Sequence, residues 1–534
     1  MTRAQQLLAG LSLALCVPAL ADQERDLDSL NPGVPDSGRM ATGLNLSLPP
    51  EWRPDESTEP AEPLELTVEN AVFLSLRHNQ SLNVQQLEPV IAGTFEAVER
   101  ARFDPSLFGE LSVGRDRAVR QPVETDQEPF EQRSETDRLE LGIRQELPTG
   151  TELQLSLAGV RRDSNRAVEQ YDTRAGLTLT QALLRGASIE SNLAQLRQAR
   201  MDTRASLYEL RGYAEALVSD VETAYWEYVL ARERMRIFEE ALSVAQRQLS
   251  DTLRRIEVGD LPETEETAAR AEVALRRQGL IDARSQQERR RLELLRLMNP
   301  PDSNWDRPLE PLDQPSMPDM PQDAVAAYLE LAQRLRPDLN EARLRVQRGE
   351  LDVVQTRNGV LPRLDLFITL GKSGYADSFG ASGRDIDGPG YDLQAGLRLE
   401  APLGNRGPRA QQRRAELSRQ QAVESVANMA QLTALDVRVA WLEVERSRQQ
   451  IDATQATREL QEEVLRAEEA RFRVGATTAL SVAQAQRDLL ESRLEEVETT
   501  VAYRLALIDL YRHSGTLLLR RGIAAPGEDE VVLR

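Results

Sequence analysis

The sequence predicts a mainly α-helical chain with a smaller set of β-strands, in which one helix–strand–strand–helix plan occurs twice. Three observations predict it. A long helical segment recurs at a constant spacing of 216 residues: Asp220, Val221, Ala224, Tyr225, Glu227, Arg232, Leu249, Arg255, Val258 and Gly259 reappear as Asp436, Val437, Ala440, Trp441, Glu443, Arg448, Leu465, Arg471, Val474 and Gly475. No gap is needed, and a duplicated half-chain is the simplest source of so steady an offset. Ahead of each copy lies a stretch in which apolar and polar residues alternate. The N-terminus, finally, reads as an export signal.

Residues 1–21 carry that signal: Arg3, an apolar core from Leu7 to Val17, and Ala19-Leu20-Ala21 before Asp22. Cys16 lies inside the apolar core. A lipoprotein reading would make it the lipid-bearing residue, but Leu15 stands where such signals want a small residue, and the A-x-A site fits better. Cleavage after Ala21 removes the single cysteine of the chain, and with it disulfides and thiolate metal sites. No apolar run reaches about 18 residues, so no membrane-spanning helix is expected; an exported chain is then soluble or membrane-inserted as a β-barrel. A net charge of −21 argues against nucleic acid as a partner. Lys372 is the lone lysine, which codon bias in a GC-rich genome explains.

Residues 22–63 hold Pro32, Pro35, Pro49, Pro50, Pro54, Pro60 and Pro63, and read as an extended or disordered leader. The first repeat spans 64–299. Thr67 is a candidate N-cap, with Asn70 where a capping box has Glu or Gln, and Pro89 is expected to kink or break the helix that follows. From Pro105 the period becomes two. Alternating segments fall around 106–115, 137–147, 151–161 and 173–181, with Leu107, Leu111, Leu141, Leu155 and Leu177 on the apolar faces. Such segments are the signature of a transmembrane barrel strand and equally of a half-exposed strand in a soluble sheet. Pro148-Thr149-Gly150 reads as a tight turn, and the polar stretches 116–136 and 161–172 as longer loops.

A single apolar stripe then predicts a helix from about Gly186 to Glu257, on the order of 100 Å at about 1.5 Å per residue. So narrow a stripe suits coiled-coil-like packing. Gly259 allows a turn, Pro262 opens the next helix, and the chain returns through 263–299. Proline-rich 300–322 reads as an irregular connector. The second repeat, 323–518, has a helical stretch up to Pro362, strands about 363–400 around a Gly-rich loop at 371–390, and a helical hairpin from about Pro408 that turns at Gly475 and returns to about Ser514. Residues 519–534 form a C-terminal tail.

Arg255-Ile256-Glu257-Val258-Gly259-Asp260-Leu261 and Arg471-Phe472-Arg473-Val474-Gly475-Ala476-Thr477, with Phe103-Asp104-Pro105 and Val360-Leu361-Pro362 before the strands, occur in the right order twice. So do Leu177-Thr178-Leu179-Thr180-Gln181 and Leu397-Arg398-Leu399-Glu400 at the return into the long helices. In these residues the chain resembles the TolC-type outer-membrane efflux channel family over most of 64–518. The resemblance implies a homotrimer in the cell outer membrane: strands joined in one β-barrel embedded in outer-membrane lipid, and helices forming a long periplasmic α-helical barrel. It implies a passive conduit served by a periplasmic membrane-fusion adaptor and an inner-membrane transporter. The family plan has two strands per half, whereas four alternating segments stand in the first half here. Either an extra hairpin widens the barrel, or a hairpin around Leu139–Leu157 lies outside the membrane region.

By the same resemblance, Arg255, Val258, Gly259 and Leu261 and Arg471, Val474 and Gly475 are periplasmic tips where an adaptor docks; the alternative is that Gly ends a helix and Val packs under the turn. The family's acidic ring would fall at Ser481 and Gln484, so it is absent as such. Glu265 matches a family acidic position, but Thr477 stands where its partner arginine would lie. A gate held by hydrogen bonds from Ser481, Thr477 and Gln484 is the remaining expectation. Other helix charges are expected on the solvated face. No catalytic constellation, P-loop, dinucleotide or zinc motif stands out, so neither enzymatic activity nor a cofactor is expected. The alternatives to an efflux conduit are the exit duct of type I protein secretion and a soluble periplasmic coiled-coil scaffold.

Overall fold

Alternation of apolar and polar residues after Pro105 produces long antiparallel strands. In a computed structural model, residues 63–120, 130–300, 305, 307–315, 324–527 and 529–532 are described. The export signal, the leader up to residue 62 and parts of the connector lie outside them. The described chain divides into two units, one built from residues 92–201 and 347–421, the other from 63–91, 202–346 and 422–532.

The first unit holds a six-stranded antiparallel meander: β2 (Ser106–Arg120), β3 (Phe130–Glu146), β4 (Thr151–Ser164), β5 (Ala167–Ala182), β7 (Arg363–Ala376) and β8 (Tyr391–Glu400), paired in that order. The four segments of the first half therefore share one sheet with the two of the second. Period two carries the apolar set onto one face across every pairing. One row of directly opposed residues reads Leu107, Ile143, Leu155, Leu177, Leu370 and Leu393 from edge to edge, and all six are exposed in the single chain. The opposite face carries Glu110, Glu140, Gln154, Thr178, Thr369 and Gln394.

The strands outrun their expected lengths. The stretches read as loops at 116–136 and 161–172 supply the upper ends of β2 to β5, with residues 165 and 166 alone between β4 and β5 and residues 121–129 outside the described set. The Gly-rich segment is also mostly ordered: β7 runs to Ala376, and a short helix (Phe379–Arg384) and a 3-10 turn (Asp385–Asp387) precede β8. At the other end Pro148-Thr149-Gly150 makes the expected turn. Gly150 has φ +75°, and a Cβ there would lie 2.0 Å from the Gly186 carbonyl oxygen, so only glycine fits. The β2–β3 hairpin enters and leaves at one place: Gln145 Nε2 donates to the Phe103 carbonyl at 3.2 Å, and Arg102 Nε lies 3.2 Å from Glu146.

Helices make up most of the second unit, and helical segments belong to the first as well. Thr67 caps α1 (Val68–His78) by accepting from the Asn70 N–H. Helix α2 (Gln80–Gln85) ends four residues before Pro89, which sits instead in the first turn of α3 (Leu87–Ala101), where its missing N–H costs no hydrogen bond. The first long helix starts later than expected. Gly186, at φ +89°, is followed by a four-residue helix α4 (Ile189–Asn192), and α5 runs Ala194–Glu257. It returns as α6 (Thr264–Met298); after α7 (Val325–Leu335) and α8 (Pro337–Gly359), the second hairpin is α10 (Arg406–Arg473) and α11 (Ala479–His513), α9 being the short helix before β8.

Equivalent positions of the duplicated helices share their burial: Val221 and Val437 are both fully buried, and Ala224 and Ala440 nearly so. They belong to a core with Leu66, Leu82, Leu294, Met298, Leu510 and Leu517. The connector is not wholly irregular, because β6 (Leu309–Pro311) pairs in parallel with β1 (Leu64–Leu66). Tyr225 fastens that pair, its hydroxyl 3.0 Å from the Leu66 carbonyl and 2.7 Å from Asp313 Oδ2. The tail contributes Ile523 and Ala525 to the same core.

Candidate functional site

Both long hairpins, which belong to the second unit at their turns, end in the same hydrogen-bonded pattern. Gly259, at φ +82°, donates its N–H to the Ile256 carbonyl at 3.0 Å, and Asp260 donates to the Arg255 carbonyl at 2.8 Å. Gly475, at φ +75°, donates to Phe472 at 3.1 Å, and Ala476 donates to Arg471 at 2.9 Å. Each is a Schellman motif, in which a left-handed residue lets two orphan helix carbonyls be satisfied. An L side chain in that conformation costs roughly 1–2 kcal/mol.

The valines before the glycines bear on one part of the alternative reading, since each glycine does end its helix. Val258 is 74% exposed and Val474 79%, so neither packs under its turn. Leu261 is half-buried beside them. The two tips stand together: the Arg255 guanidinium lies over the Phe472 ring, 5.0 Å from its centroid. Arg471 is held along its own helix by Glu468 at 2.6 Å. The result is a small apolar pair bordered by arginines. Phe472 was not singled out from the sequence; its place opposite the duplicated arginine was the available signal.

The candidate gate residues lie just behind the tips. Thr478 Oγ1 accepts from the Ser481 N–H at 3.3 Å and lies 3.2 Å from Ser481 Oγ, so Ser481 is tied to the cap of α11. Glu265 and Thr477 are half-buried and Gln484 is exposed. Among the described residues of one copy, no side-chain hydrogen bond joins Glu265, Thr477, Ser481 and Gln484 to one another.

The expectation that the remaining helix charges sit on a solvated face needs correction. Glu272 and Arg276, both buried, form an ion pair at 2.6 Å, and Arg487 reaches Glu272 from α11 at 3.1 Å. Glu222 is fully buried and accepts a two-pronged bond from Arg521 at 2.6 and 2.7 Å. Glu215 lies 3.8 Å from Arg211, and both are buried; burial pushes the Glu215 carboxyl up to about 7, with Arg211 pulling the other way. Pairing, within a helix or with a neighbouring segment, offsets part of the desolvation that would otherwise keep such groups at the surface, while Arg211 Nε and Glu215 Oε1 find no hydrogen-bond partner among the described residues. Among the described residues no cluster has the ligands for a metal ion, and no helix is long and apolar enough to cross a membrane.

Two helices also carry apolar stripes that face solvent in the single chain. On α10 these are Leu432, Leu435, Val439 and Leu442, 52–62% exposed, and on α3 they are Leu87, Ile91, Phe95 and Val98, 49–64% exposed. Spacings of three and four place each set on one helix face.

The outer membrane efflux protein family model matches residues 173–300 and 328–516, more than half of the chain. The chain belongs to the outer membrane efflux protein family. That membership places it in the outer membrane. It is 27% identical over 331 residues to the pyoverdine export outer membrane protein OpmQ of Pseudomonas aeruginosa, a match covering 60% of the chain and 66% of that relative. The chain thus spans just under two thirds of the curated relative it matches. Among solved structures of the fold, a Pseudomonas aeruginosa membrane protein superposes with a TM-score of 0.63 at 20% identity, over 89% of this chain and 97% of the other. The outer membrane channel CmeC of Campylobacter jejuni gives 0.62 at 16% identity, over 91% and 94%.

Proposed function

We propose that three copies of this efflux-family protein form a passive conduit, joined at the helical tips to a periplasmic adaptor and driven by an inner-membrane transporter. The observation that carries the docking reading is the pair of matched Schellman turns with solvent-facing Val258 and Val474, fastened by Arg255 on Phe472. Exposed apolar atoms at the end of a long hairpin are a contact that water does not reward. The exposed apolar stripes on α3 and α10 support assembly of several copies, and the apolar sheet face supports insertion in lipid. A soluble coiled-coil scaffold leaves that sheet face without a purpose. The pyoverdine export named for the OpmQ relative supports an export conduit. Glu265, Thr477, Ser481 and Gln484, close behind the tips, are the proposed gate, acting between copies.

Gly475→Trp tests the docking. The turn faces open space, with nothing within 4 Å of a Cβ built there, so the variant strains one turn and masks the tip without disturbing the core. Three-copy particles are expected at wild-type level in outer-membrane extracts, with export of small compounds lost. Normal export by such particles overturns the docking reading, and loss confined to a secreted polypeptide turns the reading to protein secretion.

A further inference from the structure

We infer that the free edges of the sheet, β2 and β8, are seats for the β8 and β2 of neighbouring copies, so that three copies close one wall of 18 strands, six from each. The inference rests on the three-copy reading above and adds that the β2–β3 hairpin is part of the membrane wall.

Six strands do not close a barrel, since the smallest have about eight. The edges nevertheless match. Every neighbouring pair in the meander is antiparallel, so β2 and β8 run in opposite directions, and a β8-to-β2 joint continues the same pattern. The apolar belt already follows the slant of a closed wall. From the shared row it extends in β2 away from the helices, Leu107 to Val113, and in β8 toward them, Leu393 to Leu399. Its centre thus slides by six residues across five strand-to-strand steps, or about 20 Å against about 24 Å. That is a slope of about 40°, inside the tilt range of closed barrels.

The belts of the two edges have equal length, four outward positions each. Set antiparallel, Leu399 meets Leu107 and Leu393 meets Val113. On the opposite face this register brings Arg398 diagonal to Glu110. Among the described residues of one copy Glu110 forms no salt bridge, and it faces Glu140 across the β2–β3 pairing, while Glu140 is held by Arg138 at 2.7 Å. Like charges directly opposite are unfavourable, and a diagonal neighbour is within reach of an arginine. A cation from the next copy removes the conflict. Walls of 16–18 strands leave an aqueous channel, and without the extra hairpin the same assembly would have only twelve.

Cysteine pairs in the full chain, in a Cys16→Ser background, test the joint. Leu399→Cys is combined in turn with Leu107→Cys, Gly109→Cys or Leu111→Cys on β2, and with Leu153→Cys or Leu155→Cys on β4; particles are extracted in detergent, their copy number weighed, and the samples oxidised. The expected result is a covalent ladder up to three copies with a β2 partner and none with β4. Three-copy particles that link β8 to β4, or to neither, overturn the 18-stranded wall alone. A different copy number overturns the reading beneath it as well. Glu110→Arg is expected to lower the temperature at which the three-copy band dissociates, and Arg398→Glu to restore it; no restoration removes the ion pair from the joint.

Discussion

Buried charge supplies the sharpest tests at the scale of single residues. Arg521 is the hydrogen-bonding partner of a fully buried Glu222. Arg521→Ala leaves that carboxylate without compensation and is expected to cost about 3–5 kcal/mol, read as a fall in the unfolding midpoint of detergent-extracted protein; an unchanged midpoint refutes the role. Glu215 makes stability depend on pH. Its folded carboxyl is pushed up to about 7, against an ordinary value of 4.5, so the folded chain holds this proton more tightly than the unfolded one. Stability therefore rises as pH falls from about 7 to the ordinary carboxylate range and is flat in this respect outside that window. One proton gives a slope of at most about 1.4 kcal/mol per pH unit. Glu215→Gln is expected to remove that slope from a series of melting curves between pH 5 and 8, and parallel curves for the two proteins would contradict it. Sequence periodicity placed these charges on a solvated face because Arg211 and Glu215, or Arg276 and Glu272, stand four apart like ordinary surface pairs. Only the neighbouring helices bury them.

At the scale of elements, the apolar stripe of α10 has the spacing of a core face and the exposure of a surface. Leu435→Asp with Val439→Asp is expected to convert three-copy particles to single chains with unchanged helix content by circular dichroism. Stable three-copy particles would show that the stripe packs against nothing. The sequence made the strands visible where hydropathy alternates and hid their upper ends. There, cross-strand ion pairs replace the alternation: Asp137 with Arg161 at 3.0 Å, Arg161 with Glu169, and Arg117 with Glu131. A charged ladder reads as a loop in a hydropathy pattern, although its backbone is paired throughout. The tips were legible for the opposite reason. A glycine after a valine at the end of a long stripe, found twice, is a local signal, and a Schellman turn needs nothing beyond its own helix.

At the scale of the whole molecule, duplication made both helical hairpins legible and concealed what is not duplicated. Four strands of the meander precede the first long helix and two precede the second, and these six join in one sheet through pairings such as Leu177 with Leu370. The connector escaped notice likewise, because Leu309 meets Leu64 across most of the first repeat. No local pattern announces partners so distant. The added hairpin begins and ends at a single point, where Gln145 grips the Phe103 carbonyl. A segment with coincident ends is separable, so a lineage can gain or lose it by joining Pro105 to Thr151 while every helix keeps its frame. In the proposed assembly the width of the outlet and the contact at the tips are thus set by separate segments of the chain.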